Sequence, residues 1–268
     1  MSAPTLTRYQ SHGVTLLGDV SAPQGVALAF TERTGGVSAG CHASLNLGSA
    51  CGDDASCVAE NRRRALAALG AEDCGDALVN PHQVHGDRVV VVRSCGADAV
   101  RAAQEDAAGG ADAIVCTAAG VPVLLCFADC VPVVRVAAGG FAVAHSGWRG
   151  TIGRIGAKAA RVLSEETGTP PSQMIAYVGP HIGREDYEVS PGLAERFSAE
   201  FGPGVIWGER NLDLGAAVSA ALEDAGVPPG SIACCDVSTA SATERFFSYR
   251  AEHGSCGRHG ALAVMTGE

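Results

Sequence analysis

The sequence predicts an α/β (α+β) fold in which mixed β-sheets are layered with α-helices. Short, continuous apolar runs bounded by turn residues, such as 112–117 and 122–129, are typical of buried strands. Stretches with helical apolar spacing lie among these runs, but strands and helices do not alternate regularly, which favours mixed sheets. The 268 residues contain no Pro/Ser-rich linker, repeat or low-complexity tract, so we expect one domain over 1–268.

The first part of the chain is predicted to form strands and loops around one helix. The predicted strands are 13–20, 25–33, 78–79 and 89–92. A helix is predicted over 54–69, where apolar residues recur at helical spacing and Gly70 marks the end. The Ala/Gly-rich, acidic segment 96–111 is predicted to be an exposed loop, with a solvated loop favoured over a mobile lid.

The rest of the chain is predicted to supply most of the sheets. The predicted strands are 112–117, 122–129, 132–137, 140–145, 173–180, 231–239 and 261–266. The predicted helices are 152–166, 191–201 and 212–225. The first of these helices is expected to end at Gly168, ahead of two prolines that cannot continue it.

Composition excludes several classes of partner and compartment. A formal net charge of −10 argues against binding nucleic acid or an anionic membrane, because both require a basic patch. Eleven cysteines without a regular framework are typical of reduced cytosolic thiols. We read no signal peptide and no apolar run long enough to span a bilayer, so we expect a cytoplasmic protein of undetermined oligomeric state.

Three residues with soft or borderline ligand atoms stand at the edges of apolar runs. Cys130 and His145 each end a strand-like stretch, and His85 lies in a polar loop just before the run 89–92. Strand ends at one edge of a sheet converge, so these side chains are expected to meet. Each alone is more often a structural residue, but two imidazoles and a thiolate together leave a fourth position open, which is typical of catalytic zinc.

Four further residues have a functional and a structural interpretation, and the sequence leaves both open. Asp129 could orient a ligand histidine, act as a general base, or simply form a turn. Arg33 and Arg149 could each bind an anion. The structural alternative is a hairpin turn for Arg33 and a surface salt bridge for Arg149. His181 could be a fourth ligand or an acid, although a turn histidine is favoured.

Taken together, these motifs resemble the YfiH-like family, also called laccase-domain or polyphenol oxidase-like proteins. The match runs in order through "RTGGVSAGCHASLNLG", "QVHG", "ADAIVCTAAGVPVLLCFADCVPVV", "AVAHSGWRGT", "VGPHIGREDYEV" and "FFSYR…GRHGALAV", and so covers nearly the whole chain. The family's metal-binding His, Cys and His fall on His85, Cys130 and His145. The chain departs from the family pattern at His181 and at Ser238-Thr239, where cysteine is usual, which weakens the case for several copper centres.

The resemblance implies a zinc-dependent purine nucleoside phosphorylase, with copper less favoured as the metal. Adenosine, inosine, guanosine or methylthioadenosine would react with phosphate to give the base and ribose 1-phosphate, and adenosine deaminase activity is also implied. We expect Asp129 to join the three ligands in catalysis. We expect Arg33, Asn46, Gln83 and Arg149 to contact phosphate or nucleoside.

Three other classes of function remain open at this point. A copper-dependent polyphenol oxidase would need several Cys/His sites, and the sequence offers one convincing set. A cysteine hydrolase would use Cys130 as nucleophile and His145 as base, with cell-wall peptide precursors as its substrates. A non-catalytic binding protein would show no turnover.

Overall fold

The structure is a computed structural model that describes residues 3–266 as strands, helices and connecting loops. The strands are β1 (Thr7–Ser11), β2 (Val14–Gly18), β3 (Val26–Thr31), β4 (Val89–Val92), β5 (Ala113–Cys116), β6 (Val123–Phe127), β7 (Val131–Ala137), β8 (Gly140–Ser146), β9 (Ile175–Val178), β10 (Ile206–Trp207), β11 (Asn211–Leu212), β12 (Ile232–Cys234) and β13 (His259–Met265). The helices are α1 (Ala55–Leu69), α2 (Ala97–Ala108), α3 (Trp148–Ile152), α4 (Ile155–Thr167), α5 (Pro191–Phe201) and α6 (Leu214–Asp224).

Two large sheets organise the molecule and confirm the predicted α/β class. One is five-stranded and antiparallel, in the order β1-β2-β3-β13-β6. The other is six-stranded and mixed, in the order β12-β9-β7-β8-β5-β4, with parallel pairs at both edges. Strands β10 and β11 form a small hairpin. That residues 1–268 constitute one domain stays a prediction.

The apolar side chains divide the fold into layers. Val134 and Val136 of β7 pack between the two sheets, in a cluster that includes Phe30 of β3. The alternate residue Val133 faces the other way, into a cluster shared with helices α4, α5 and α6. Leu66 of α1 packs on the outer face of the five-stranded sheet. The order of layers is therefore helix, sheet, sheet, helices, which follows from the alternation of side chains along each strand.

The predicted first helix is confirmed, and its ends follow from its sequence. The Asp54 carboxylate accepts hydrogen bonds from the backbone N–H groups of Ser56 and Cys57, which caps the helix start. Gly70 has a φ of 79° and ends the helix in the left-handed conformation that glycine adopts easily.

The prediction of an exposed loop over 96–111 is wrong, because most of this segment is helix α2. Val100, Ala103 and Ala107 are buried on one face and pack in the core between the sheets. Their spacing is helical, and alanine has the highest helix propensity of any residue. The segment is consequently neither a solvated loop nor a lid.

The helix predicted over 152–166 is divided in two. Helix α3 starts directly after β8, and α4 begins only at Ile155, because Arg154 between them has a φ of 54°. This short α3 places Trp148 immediately beyond the end of β8. Among the described residues, no helix is long and apolar enough to cross a membrane.

Candidate metal centre and its cavity

The three side chains predicted as metal ligands lie together in the structure. The ligand atoms of His85, Cys130 and His145 are all within 4.8 Å of one another. The two imidazole rings stand nearly perpendicular, at 81°, with their centroids 4.8 Å apart. His145 is buried, Cys130 is half-buried and His85 is exposed, so the cluster forms part of a cavity wall that solvent can reach.

The topology of the two sheets explains why these residues meet. Cys130 lies where the chain leaves β6 of one sheet and enters β7 of the other, and Asp129 makes this crossover with a φ of 92°. His145 lies near the end of β8, directly opposite Pro132 of β7. His85 is in the loop before β4 and has a φ of 59°, a left-handed conformation that histidine rarely adopts without support.

A buried carboxylate, Asp112, supports both histidines. Its Oδ1 accepts hydrogen bonds from Nδ1 of His145 at 2.8 Å and from the backbone N–H of His85 at 3.0 Å. Its Oδ2 accepts from the backbone N–H groups of Val84 and Gly86, at 3.2 and 2.7 Å. Because Nδ1 of His145 donates to Asp112, its Nε2 is the nitrogen left to bind a metal, and His85 is held in its unusual backbone conformation.

The electrostatics of the cluster favour a thiolate beside a charged histidine. Burial alone would raise the pKa of the Cys130 thiol, but the charge of His145 and the hydrogen bonds to His145 and His85 together outweigh burial and lower it. Burial likewise opposes the charged form of His145, yet Cys130 and Asp112 raise the pKa of its imidazole. Asp112 is itself kept ionised, since the hydrogen bonds from His145 and from the loop overcome its burial and lower its pKa.

The donor set fits a metal ion, and zinc in particular. A thiolate and two imidazole nitrogens are the ligands that zinc prefers, and three protein ligands leave one position for water or substrate. Gly147 packs against the cluster: a Cβ there would lie 3.0 Å from Sγ of Cys130 and 3.1 Å from Cδ2 of His85. A side chain at this position would push the ligands apart.

The cluster opens into a cavity of about 850 Å³. The aromatic part of its wall consists of Trp148, Tyr187 and Tyr249. Such side chains can pack against a planar ring, and the polar and charged residues around them can fix its orientation.

Gln83, a predicted substrate contact, and Asp129, predicted to take part in catalysis, both line this cavity, and the polar atoms of both already form hydrogen bonds within the protein. The Gln83 amide donates to the carbonyl oxygen of Cys126 and accepts from its N–H, both at 2.8 Å, and so fastens the loop of His85 to β6. The Asp129 carboxylate accepts from the Thr239 hydroxyl and from the N–H of Arg250, each at 2.7 Å. The carboxylate that orients a ligand histidine is therefore Asp112, which the sequence interpretation missed, and not Asp129.

Arg33 and Arg149 do not line the cavity. The Arg33 side chain is only 13% exposed, pairs with Glu252 at 3.1 Å and lies over the Phe247 ring. It also donates to the carbonyl oxygen of Thr243 at 2.6 Å. Arg149 is exposed on α3, with its guanidinium over the ring of Trp148.

Asn46 and His181 also lie outside the cavity wall. The buried amide of Asn46 joins Gly48, Asp53 and Arg258 by hydrogen bonds, so it supports the loop that forms the wall from behind. Nδ1 of His181 donates to the carbonyl oxygen of Gly179, and the other ring nitrogen faces α6. His181 is not part of the candidate metal cluster.

Sequence reasoning missed Asp112 and two cavity arginines, Arg62 and Arg258. Asp112 opens the run "DAIVCT" and gives no local sign that loop residues 26–28 positions earlier bind it. Arg62 is the first of three consecutive arginines on α1, and the sequence does not indicate which of the three faces the cavity.

Comparison with known proteins identifies the family. A family model described as multi-copper polyphenol oxidoreductase laccase matches residues 27–266. A purine nucleoside phosphorylase of Deinococcus radiodurans is 40% identical over 240 residues, which cover 87% of each chain. An adenosine deaminase from an unknown prokaryotic organism is 36% identical over 221 residues, 76% of this chain and 80% of that protein.

A solved structure extends the likeness to the whole fold. The crystal structure of YlmD from Geobacillus stearothermophilus aligns with a TM-score of 0.84 at 30% identity, covering 99% of this chain and 100% of that one. The resemblance drawn from the sequence motifs is thus confirmed over nearly their whole span. The chain belongs to the family described as multi-copper polyphenol oxidoreductase laccase, the YfiH-like family that its sequence motifs resemble.

Proposed function

We propose that this chain is a zinc-dependent purine nucleoside phosphorylase. The observation that carries the proposal is the cluster of His85, Cys130 and His145 at the wall of a cavity with aromatic side chains. The proposed reaction cleaves adenosine, inosine, guanosine or methylthioadenosine with phosphate, giving the base and ribose 1-phosphate. Relatives named purine nucleoside phosphorylase support this class of reaction.

The residues of the cavity suit the needs of this reaction. Cleavage of the bond between C1′ and the base leaves negative charge on the departing purine, which must be stabilised. Tyr187 and Trp148 offer faces for the base, and each carboxylate oxygen of Asp129, beside the one hydrogen bond that it already accepts, has a lone pair left for a ribose hydroxyl or a purine N–H. A zinc ion held by the three ligands would supply a Lewis acid at this end of the cavity.

Adenosine deamination is a second candidate at the same centre. It is favoured by the similarity to a protein named adenosine deaminase and by the open ligand position of the cluster. Deamination consumes water and no phosphate, so the two activities are separable by their products.

A multi-copper oxidase is less favoured in spite of the family's description. Such an enzyme needs several copper sites, whereas residues 3–266 contain a single group of three or more side chains placed to hold a metal. A cysteine hydrolase built on Cys130 and His145 is the remaining enzymatic alternative, since the same charged pair would also activate a nucleophile.

Eleven cysteines, all free in the structure, support a cytoplasmic location.

The test is product analysis with inosine and adenosine, with and without phosphate, on zinc-loaded protein. We expect hypoxanthine and ribose 1-phosphate from inosine only when phosphate is present. Cys130→Ala should abolish both zinc binding and turnover, and Cys95→Ala, at an exposed loop cysteine, should preserve them. Equal inosine cleavage in phosphate-free buffer would show hydrolysis and refute the phosphorylase assignment.

A further inference from the structure

Two arginines on the cavity wall have no acidic partner. Arg62 of α1 and Arg258, just before β13, both line the cavity beside the loop 48–51. Neither guanidinium forms an ion pair with a carboxylate in the part of the chain that the structure describes. Arg250, which also lines the cavity without an ion pair among the described residues, is exposed, whereas Arg62 and Arg258 are half-buried; we call these two residues the arginine pair.

Neutral groups hold the arginine pair in place without cancelling its charge. Arg62 donates from Nε to the carbonyl oxygen of Leu47 at 3.0 Å and from Nη2 to Oδ1 of Asn80 at 2.7 Å. Arg258 donates from Nη1 to the carbonyl oxygens of Cys256 and Gly257, at 2.7 and 2.8 Å. These bonds fix the side chains and leave the positive charge uncompensated, which is the state of an anion site awaiting its ligand.

Arg62 and Arg258 contact adjacent residues of the same stretch of chain, Leu47 and Gly48. The stem of Arg258 packs on Gly48, where a Cβ would lie 2.7 Å from its Cγ. Arg62 is bonded to the neighbouring residue Leu47. The thiol of Cys126, another lining residue, is in contact with the same Leu47 carbonyl at 3.5 Å. The arginine pair therefore converges at the junction of residues 47–48 with β6.

We propose that Arg62 and Arg258 form a subsite for a phosphoryl dianion. Two positive charges match the charge of phosphate, and forked guanidinium donors match its tetrahedral oxygens. The inference rests on the proposed function in one respect: inorganic phosphate would be the co-substrate bound there. The same chemistry could instead recognise the phosphate ester of a nucleoside 5′-monophosphate, so the experiment separates the two sources.

The experiment measures binding apart from turnover. Inorganic phosphate is titrated into the zinc-loaded full chain by calorimetry and by thermal denaturation, and inosine 5′-monophosphate is titrated in parallel. Arg62→Gln and Arg258→Gln should each weaken phosphate binding on the order of tenfold or more, because each removes a charged donor. The KM for phosphate should rise similarly, whereas the KM for inosine should change by less than about threefold.

Controls keep folding and binding apart. Arg63→Gln removes the adjacent arginine of α1, which is exposed and paired with Glu60, and should leave phosphate binding unchanged. Because Arg62 also supports Leu47 and Asn80, Arg62→Lys is included: it keeps the charge and should bind phosphate more tightly than Arg62→Gln. Melting curves without ligand show whether each variant is folded.

The outcomes distinguish the inference from the proposed function. Folded variants that bind both phosphate and inosine 5′-monophosphate as well as the parent protein would overturn the subsite. Weakened binding of only the monophosphate would assign the subsite to the ester. Phosphate binding that depends on the arginine pair in a protein that never cleaves inosine would uphold the subsite and refute the phosphorylase.

Discussion

Asp112→Asn is the substitution that most directly tests how the metal centre is built. The two carboxylate oxygens of Asp112 accept four hydrogen bonds, two each, from His145, His85, Val84 and Gly86. An asparagine has the same shape but only one accepting oxygen. Whichever way its amide is turned, the NH₂ group faces two donors, so at least two hydrogen bonds are lost.

The magnitude follows from this count. Two lost hydrogen bonds to a charged acceptor, at about 1.5–3 kcal/mol each, lower the free energy of unfolding by about 3–6 kcal/mol. If the NH₂ group faces Nδ1 of His145, that nitrogen must become an acceptor, which moves the proton to Nε2 and blocks metal binding there. We therefore also expect zinc affinity to fall by about 10–100-fold, the usual effect of losing a carboxylate behind a ligand histidine.

The assay is a zinc titration against a competing chelator, paired with denaturant unfolding of the metal-free protein. Asp129→Asn is the matched control, because Asp129 is also a buried carboxylate near the centre but bonds to Thr239 and Arg250. Its zinc affinity should stay within about threefold of the parent protein. Unchanged zinc affinity in folded Asp112→Asn, or a larger loss in Asp129→Asn, would refute this account of the centre.

Two further predictions concern cysteine reactivity and pH. If Cys130 is a metal ligand, its alkylation, measured by peptide mass spectrometry, is slow in zinc-loaded protein and fast after the zinc is removed by a chelator. An alkylation rate that does not change with chelator would favour the hydrolase. So would a Cys130→Ser variant that keeps zinc yet loses turnover. His259 is buried between Phe127 and Phe246, and burial with nearby Arg258 and Arg33 lowers its pKa from 6.5 to about 3. As pH falls, His259 takes up a proton in the unfolded chain at a higher pH than in the folded protein. The free energy of unfolding should therefore fall by about 4–5 kcal/mol as pH drops from about 6.5 toward 3. In metal-free protein, the His259→Phe variant should lack this part of the pH dependence in acid unfolding curves.

The parts of the fold that sequence predicted well are those with a strong local pattern. The central strands β5 to β8 are short, continuous apolar runs separated by turn residues, and they occur where the runs predicted them. Helix α1 has a capping aspartate and a terminal glycine, both of which are local signals. Helix α2 was missed because its buried face consists of Val100 and small alanines, which composition alone does not separate from a solvated segment.

The residues of the candidate site likewise include some that the sequence predicts and some that it does not. His85, Cys130 and His145 stand at ends of apolar runs, and the sheets bring those ends together as expected. Asp112 bonds to residues more than 25 positions away, and Arg258 lies in the cavity because β13 pairs with β6. Such positions depend on long-range strand pairing, so no pattern near them in the sequence marks them.

The net charge of −10 and a site for phosphate are compatible because they act over different distances. Charges on the surface are screened within roughly 8–10 Å at physiological ionic strength. A long polyanion that lies along the surface would come close to many acidic side chains at once and be repelled by them. A small dianion inside the cavity meets mainly the arginine pair, Arg62 and Arg258, which neutral groups hold in place. Electrostatic attraction is stronger there than in water, since part of the solvent is excluded. The overall negative charge is therefore no argument against the proposed phosphoryl subsite.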